Sequence, residues 1–175
     1  MSLIAPSISA ENLEATTLEI MREWLAGYFD GASHTVSGTA RTFPLATLSF
    51  QAAALAQPLN GLSITVVWTS SGRERRTWLG GKRRIAREIA LQVFVRAGYA
   101  ASATTTSGVR GNADEQVQAG AGLARALFDD PTARVLLAGK GLGHVRITPP
   151  APLPADTNYA TRTMTVTGTI TYDLE

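Results

Sequence analysis

The stretch Ile85-Ala-Arg-Glu-Ile-Ala-Leu-Gln-Val-Phe-Val-Arg96 decides the fold. Ile85, Ile89, Leu91, Val93 and Val95 share one parity, broken only by Arg87. Ala86, Glu88, Ala90, Gln92 and Arg96 share the other, with Phe94 as its large apolar member. A period of two over this length marks a long strand with one face on a core. One apolar and one mostly polar face suit a sheet covered on a single side, which is usually antiparallel.

Working outward, two further stretches match it. Upstream, Leu62, Ile64, Val66 and Trp68 alternate with polar residues as far as Thr69. At the far end, Arg162, Met164, Val166, Gly168, Ile170, Tyr172 and Leu174 alternate with Thr161, Thr163, Thr165, Thr167, Thr169, Thr171 and Asp173. Threonine favours strands and its hydroxyl tolerates water, so this predicts a long strand with a polar threonine ladder. Gly168 in mid-strand predicts a bend or bulge there. Ser70-Ser-Gly72 reads as an interruption after the upstream strand, with Thr77-Trp-Leu79 as a possible continuation and Gly80-Gly81 as a turn.

The helices are carried by a different period. Leu13, Thr17, Ile20, Met21, Trp24, Leu25 and Phe29 recur at three and four residues, with Ser9 as N-cap, Glu11 and Glu14 at the positive end, and Asp30-Gly31 as the stop. A second helix is predicted from an N-cap at Asn112, with Glu115 as its capping-box partner and Val117, Ala121, Ala124, Leu127 and Phe128 as its apolar stripe. Gly120 and Gly122 weaken it unless another backbone packs closely there. Asp130-Pro131 predicts a cap and first turn for a short helix over Thr132–Leu137, stopped at Gly139.

The remainder reads as a loop over Gly31–Gly38, a strand over Leu45–Gln51, a turn at Asn60-Gly61 and a mobile loop over Gly98–Gly111. A short strand over His144–Thr148 and an extended surface loop over Pro149–Pro154 follow. This order predicts a single α+β domain over 1–175: a mostly antiparallel sheet, two main helices packed on one face, and a long basic hairpin.

Composition bounds the chemistry. The chain of 175 residues is 45% hydrophobic but only 17% charged, against an average near 25%, which suits a surface partly buried against partners. The net charge of +2 gives no overall nucleic-acid signature, and the absence of cysteine excludes disulfides and thiol chemistry. The N-terminus predicts no signal peptide. The longest apolar run, Ala52–Ala56, is far below the roughly 20 residues of a membrane span.

His34 and His144 lack partners at ligand spacing, and capping accounts for Asp129-Asp130. Gly139-Lys-Gly-Leu-Gly143 and Gly81-Lys82 both lack the remaining residues of a phosphate loop. Neither an enzyme, a cofactor nor a metal is therefore expected.

Charge is concentrated in one place. Arg73, Arg75, Arg76, Lys82, Arg83, Arg84 and Arg87 surround the turn before the central strand, with Trp78 among them. Such a tip either contacts DNA phosphates or an acidic protein surface, or is a solvated hairpin end protected from edge-to-edge pairing.

The layout resembles the tail terminator proteins of long-tailed bacteriophages. The resemblance rests on Leu91-Gln-Val-Phe-Val-Arg-Ala97, on the following loop and the helix near Ala113-Asp-Glu-Gln-Val117, and on Met164-Thr-Val-Thr-Gly-Thr-Ile-Thr-Tyr-Asp-Leu174. The stretch from Ala52 to Arg84 and the proline loop are longer than that family's usual form.

The resemblance implies a structural virion protein at the head–tail junction, assembled in the host cytoplasm. Six copies would form a homo-hexameric ring on the tail tube protein, stop tube polymerisation and present a docking surface to a head-completion or neck protein. Viral DNA would later pass through, and no membrane would be involved. On this reading Phe94, Thr165, Thr167 and Thr169 contribute subunit contacts, while Arg73, Arg75, Arg76, Lys82, Arg83 and Arg84 face a partner or DNA. The alternatives are another neck, head–tail connector or tail-completion component, and a small nucleic-acid-binding module.

Overall fold

The computed structural model describes residues 10–29, 32–36, 38–43, 47–49, 62–79, 81–98, 107–154 and 159–174. A 3-10 turn, Ala10–Asn12, leads into α1, Leu13–Phe29. The strands β1 (Ala32–Val36), β2 (Thr39–Phe43) and β3 (Thr47–Ser49) follow. Then come β4 (Leu62–Leu79), β5 (Lys82–Gly98), α2 (Ser107–Asp129) and α3 (Pro131–Gly139), and finally β6 (Leu142–Ile147), β7 (Ala151–Pro152) and β8 (Tyr159–Leu174). The fold is α+β, as the alternation predicts.

The main sheet runs β3-β4-β5-β8-β6, with β7 also paired to β8. The predicted strand is its centre: β5 pairs β4 on one side and β8 on the other, both antiparallel. Its odd-numbered residues face the helices, and Ile85, Ile89, Leu91, Val93 and Val95 are all buried. They meet Leu62, Ile64 and Val66 of β4 and Met164, Val166, Ile170 and Tyr172 of β8 in one core. α1 adds Met21, Trp24, Leu25 and Phe29, and α2 adds Val117, Ala121, Ala124 and Phe128. Trp24 fixes the helices to one another: its indole Nε1 donates to the Ala133 carbonyl of α3 at 3.1 Å, and its ring packs 4.9 Å from that of Phe128.

Several expectations need correction. Within the expected loop over Gly31–Gly38 lies β1, which pairs β2 as a separate two-stranded hairpin around Gly38, at φ 79°. Short polar residues give this hairpin almost no apolar alternation, and it is held by contacts to α2 and α1 rather than to the sheet. The strand expected over Leu45–Gln51 is described only at Thr47–Ser49, and it runs parallel to β4.

β4 is not interrupted at Ser70-Ser-Gly72. It continues to Leu79 through two bulges, between Trp68 and Ser70 and between Ser71 and Glu74, each placing one extra residue on β4. Asn112 is not an N-cap, because α2 begins five residues earlier at Ser107. Gly108 and Gly111 lower helix propensity in that turn without forbidding it, so propensity placed the boundary too late.

β8 is continuous against β5, and the irregularity predicted at Gly168 lies opposite it. β6 bulges between Gly143 and Arg146, and His144 there takes φ 51°. Part of the proline loop, Ala151–Pro152, pairs with Arg162 and Thr163 of β8. The Asp130 cap is as predicted: its carboxylate accepts from the Thr132 amide at 2.9 Å, with Pro131 opening the helix. Ser9, the apolar run Ala52–Ala56, Asn60-Gly61 and most of the expected loop over Gly98–Gly111 lie outside the described residues.

Candidate functional site

Because helices cover one side of the sheet, the even-numbered residues of β5 and the odd-numbered residues of β8 line the other. Register places Glu88 beside Thr169, Ala90 beside Thr167, Gln92 beside Thr165 and Phe94 beside Thr163. Gln92 Nε2 donates to Thr163 Oγ1 at 3.0 Å, which ties adjacent strands together on that side. Thr165, Thr167 and Thr169 are half-buried or exposed, and Phe94 is half-buried. Phe94 stands against Thr65 of β4, which is fully buried.

The bulges of β4 and β6 shape this side. They frame a shallow trough of about 520 Å³ whose lining includes Ser70 and Gly72, Glu88 and Ala90, Thr167 and Thr169, and His144 and Arg146. Small side chains make the floor, a carboxylate stands toward one end and a guanidinium toward the other. Thr167 and Thr169 therefore belong to this trough, whereas Thr165 and Phe94 lie further along the sheet. Sequence reading missed His144 and Arg146 as their neighbours, because only the β6–β8 register brings them together.

Beyond the trough, β4, β5 and β8 continue as a three-stranded arm ending at the turn around Gly81, at φ 81°. The arm carries the basic residues, but not as one patch. Register puts Arg76, Arg83 and Arg87 on the side that continues the core, in rows with Ile85, Trp78 and Glu74. Arg75 and Arg84 point to the opposite side, Lys82 opens β5, and Arg73 sits in the second bulge.

Glu74 accepts from Arg76 Nε at 2.7 Å and from Arg87 Nη2 at 2.5 Å. The bond from Arg87, and then that from Arg76, holds the Glu74 carboxyl below its ordinary pKa. Arg84 binds Asp173 through Nε at 2.8 Å and Nη2 at 3.2 Å, which raises its own pKa. Arg73, Arg75 and Arg83 make no ion pair among the described residues. The Arg83 guanidinium lies 5.5 Å from the centre of the Trp78 ring, and Trp78 is 72% exposed. The predicted tip thus reduces to an exposed indole with Arg83 against it, while Arg75 lies on the opposite side of the arm and Arg73 in the second bulge.

Two more surface features were not singled out by sequence. α3 presents Val135 and Leu136, 70% and 55% exposed, away from its buried Ala133 and Leu137. At the start of α1, a recess of about 460 Å³ has Glu11, Asn12, Leu13, Glu14, Ala15, Leu18 and Glu19 in its lining among the described residues.

Among the described residues no group of His, Asp or Glu is arranged to hold a metal ion, and no helix is long and apolar enough to cross a membrane. No family model matches the chain, and no curated protein matches it in sequence.

Proposed function

We propose that this chain is a structural ring subunit of a bacteriophage virion, which caps the tail tube at the head–tail junction as tail terminators do. The observation that carries the reading is the side of the main sheet turned away from the helices. It is wide, made of small and polar side chains, and continuous with a projecting arm that ends in an exposed tryptophan. Such a surface offers shape and hydrogen bonds for a partner.

A ring closes through two different, mutually matching faces, and this chain has distinct candidates at its two ends, the arm tip and the helix-bearing side. The trough with Thr167 and Thr169 and the half-buried Phe94 supply further contact surface. The ring would terminate tube polymerisation, offer a platform to a neck protein and leave an axial opening for DNA.

Electron microscopy of the purified chain tests this directly. The expected result is closed rings with an opening of DNA width that bind the ends of purified tail tubes. Rings that ignore tubes but bind a head connector would move the protein to another level of the neck. A monomer at every concentration, retained on DNA in a salt-sensitive way through Arg73, Arg75 and Arg83, would replace the reading with a nucleic-acid-binding module.

A further inference from the structure

α3 lies at the surface and yet has almost no polar side. Its nine residues carry one charge, Arg134. Ala133 and Leu137 face the core, whereas Pro131, Thr132, Val135, Leu136 and Ala138 are exposed. The other two helices turn Glu14, Glu23, Asp114 and Gln118 to solvent, as surface helices do. A helix apolar on both sides is normally buried, but within one copy Val135 and Leu136 stay 70% and 55% exposed. We propose that α3 packs antiparallel on α3 of a second copy, about a two-fold axis at Val135, an inference that stands apart from the ring reading.

Charge selects the occupant and its direction. Asp130 precedes the helix and Lys140 follows it, equally far from Val135 in sequence. Turning a second copy over about Val135 brings Asp130 of each to Lys140 of the other, and sets the positive end of each helix dipole against a negative end. A parallel pair would instead oppose like charges. Both groups are available within one copy. Asp130 accepts from the Thr132 amide and makes no ion pair among the described residues, and Lys140 meets Glu23 at 3.5 Å on the surface, a contact worth little.

Shape agrees. Pro131, Val135 and Ala138 lie on one stripe of α3, and with Leu142 and Val145 of β6, themselves core residues, they line a groove of about 300 Å³. Arg134 lines it too. The antiparallel register carries Leu136 of the second copy to Arg134, so each copy offers one apolar side chain and one groove. The contact is self-complementary, as a two-fold interface requires. A nine-residue helix is roughly 13 Å long and presents less than the ~800 Å² per partner of a standard interface, so the pairing depends on concentration.

The chain holds no cysteine, so an introduced thiol reports only its own neighbours. Val135→Cys, on the axis, should cross-link to itself under mild oxidation. Thr132→Cys should not, because its two copies would stand more than a turn apart, beyond disulfide reach. Thr132→Cys mixed with Ala138→Cys should cross-link, since the register sets these positions opposite each other. In sedimentation, the wild type should double its assembly unit as concentration rises. Val135→Glu with Leu136→Glu should raise the dissociation constant of that step about tenfold or more, with circular dichroism and melting midpoint unchanged. Lys140→Glu should weaken it at low salt and less at high salt.

Equal cross-linking at all three positions, or none at Val135→Cys, overturns the pairing. Wild-type chain that never cross-links but is held by neutral phosphatidylcholine vesicles or by purified tail tubes through Val135 and Leu136 also overturns it, and gives the face to lipid or to another protein. Rings that neither double nor cross-link overturn the pairing and leave the ring reading standing. Copies that pair at α3 but never close into rings support the pairing and remove the ring reading.

Discussion

Gly120 of α2 lies so close to Val95 of β5 that a Cβ added to the glycine would stand 3.1 Å from Val95 Cγ1, and it would also overlap Leu62 Cδ2. The helix approaches the sheet at this point because it has no side chain there. Alanine at position 120 would gain about 1 kcal/mol of helix propensity but overpack a filled core, at about 1–3 kcal/mol. Gly120→Ala should therefore destabilise by about 1 kcal/mol in urea unfolding. In a Leu62→Ala background the overlap is relieved and the same substitution should become stabilising.

The Glu74 carboxylate gives the arm a pH dependence with a defined sign. Its folded pKa lies below the ordinary value of 4.5, chiefly because Arg87 donates to it. Its contribution is thus complete above the unfolded pKa and is lost as pH falls through the lower, folded one. Glu74→Gln should lower the denaturation midpoint at pH 7, and the gap to the wild type should close as the solution is acidified below pH 4.5. Midpoints measured between neutral and strongly acidic pH check this.

Asp130 starts α3 by accepting from the Thr132 amide. A nine-residue helix has few other sources of order at its first turn. Asp130→Ala should cost about 1 kcal/mol, and Asp130→Asn, which keeps the accepting oxygen, should cost a few tenths. Urea unfolding of the three proteins separates the cap from the charge.

The parts of the fold carried by long periodicities were legible in the sequence. The alternation of Ile85–Arg96, the threonine ladder of β8 and the stripe of α1 each repeat often enough to fix a face. What was not legible depends on contacts between distant segments. The β1–β2 hairpin has no apolar alternation, and the bulges in β4 look like strand ends when Ser70-Ser-Gly72 is read alone. The basic cluster was visible as composition, yet its division between two sides of the arm needed the β4–β5 register. The neutralisation of Arg84 needed Asp173, which is 89 residues away. The α1 recess had no sequence signal beyond two glutamates that the helix dipole already accounted for.

Gly168 differs from Gly120 in what surrounds it. A Cβ there would sit 3.2 Å from the Gly143 carbonyl oxygen, and 3.4 Å from Leu142 Cδ1 and Val145 Cγ2. The nearest atom is backbone, which cannot rotate away as the end of a leucine can. Replacement must push β6 outward at the bulge that carries His144 and Arg146, the far wall of the trough. Gly168→Val should therefore destabilise by about 2 kcal/mol. It should also raise amide exchange across Leu142–Ile147 while leaving the β4–β5 arm protected. Thr169→Val, one position along and pointing into the trough, should leave stability within about 0.5 kcal/mol of the wild type. If the trough contributes contact surface in the ring, Thr169→Val should weaken assembly despite its normal stability. Urea unfolding, hydrogen exchange and light scattering on the pair of variants distinguish a defect in the strand from a defect in the surface.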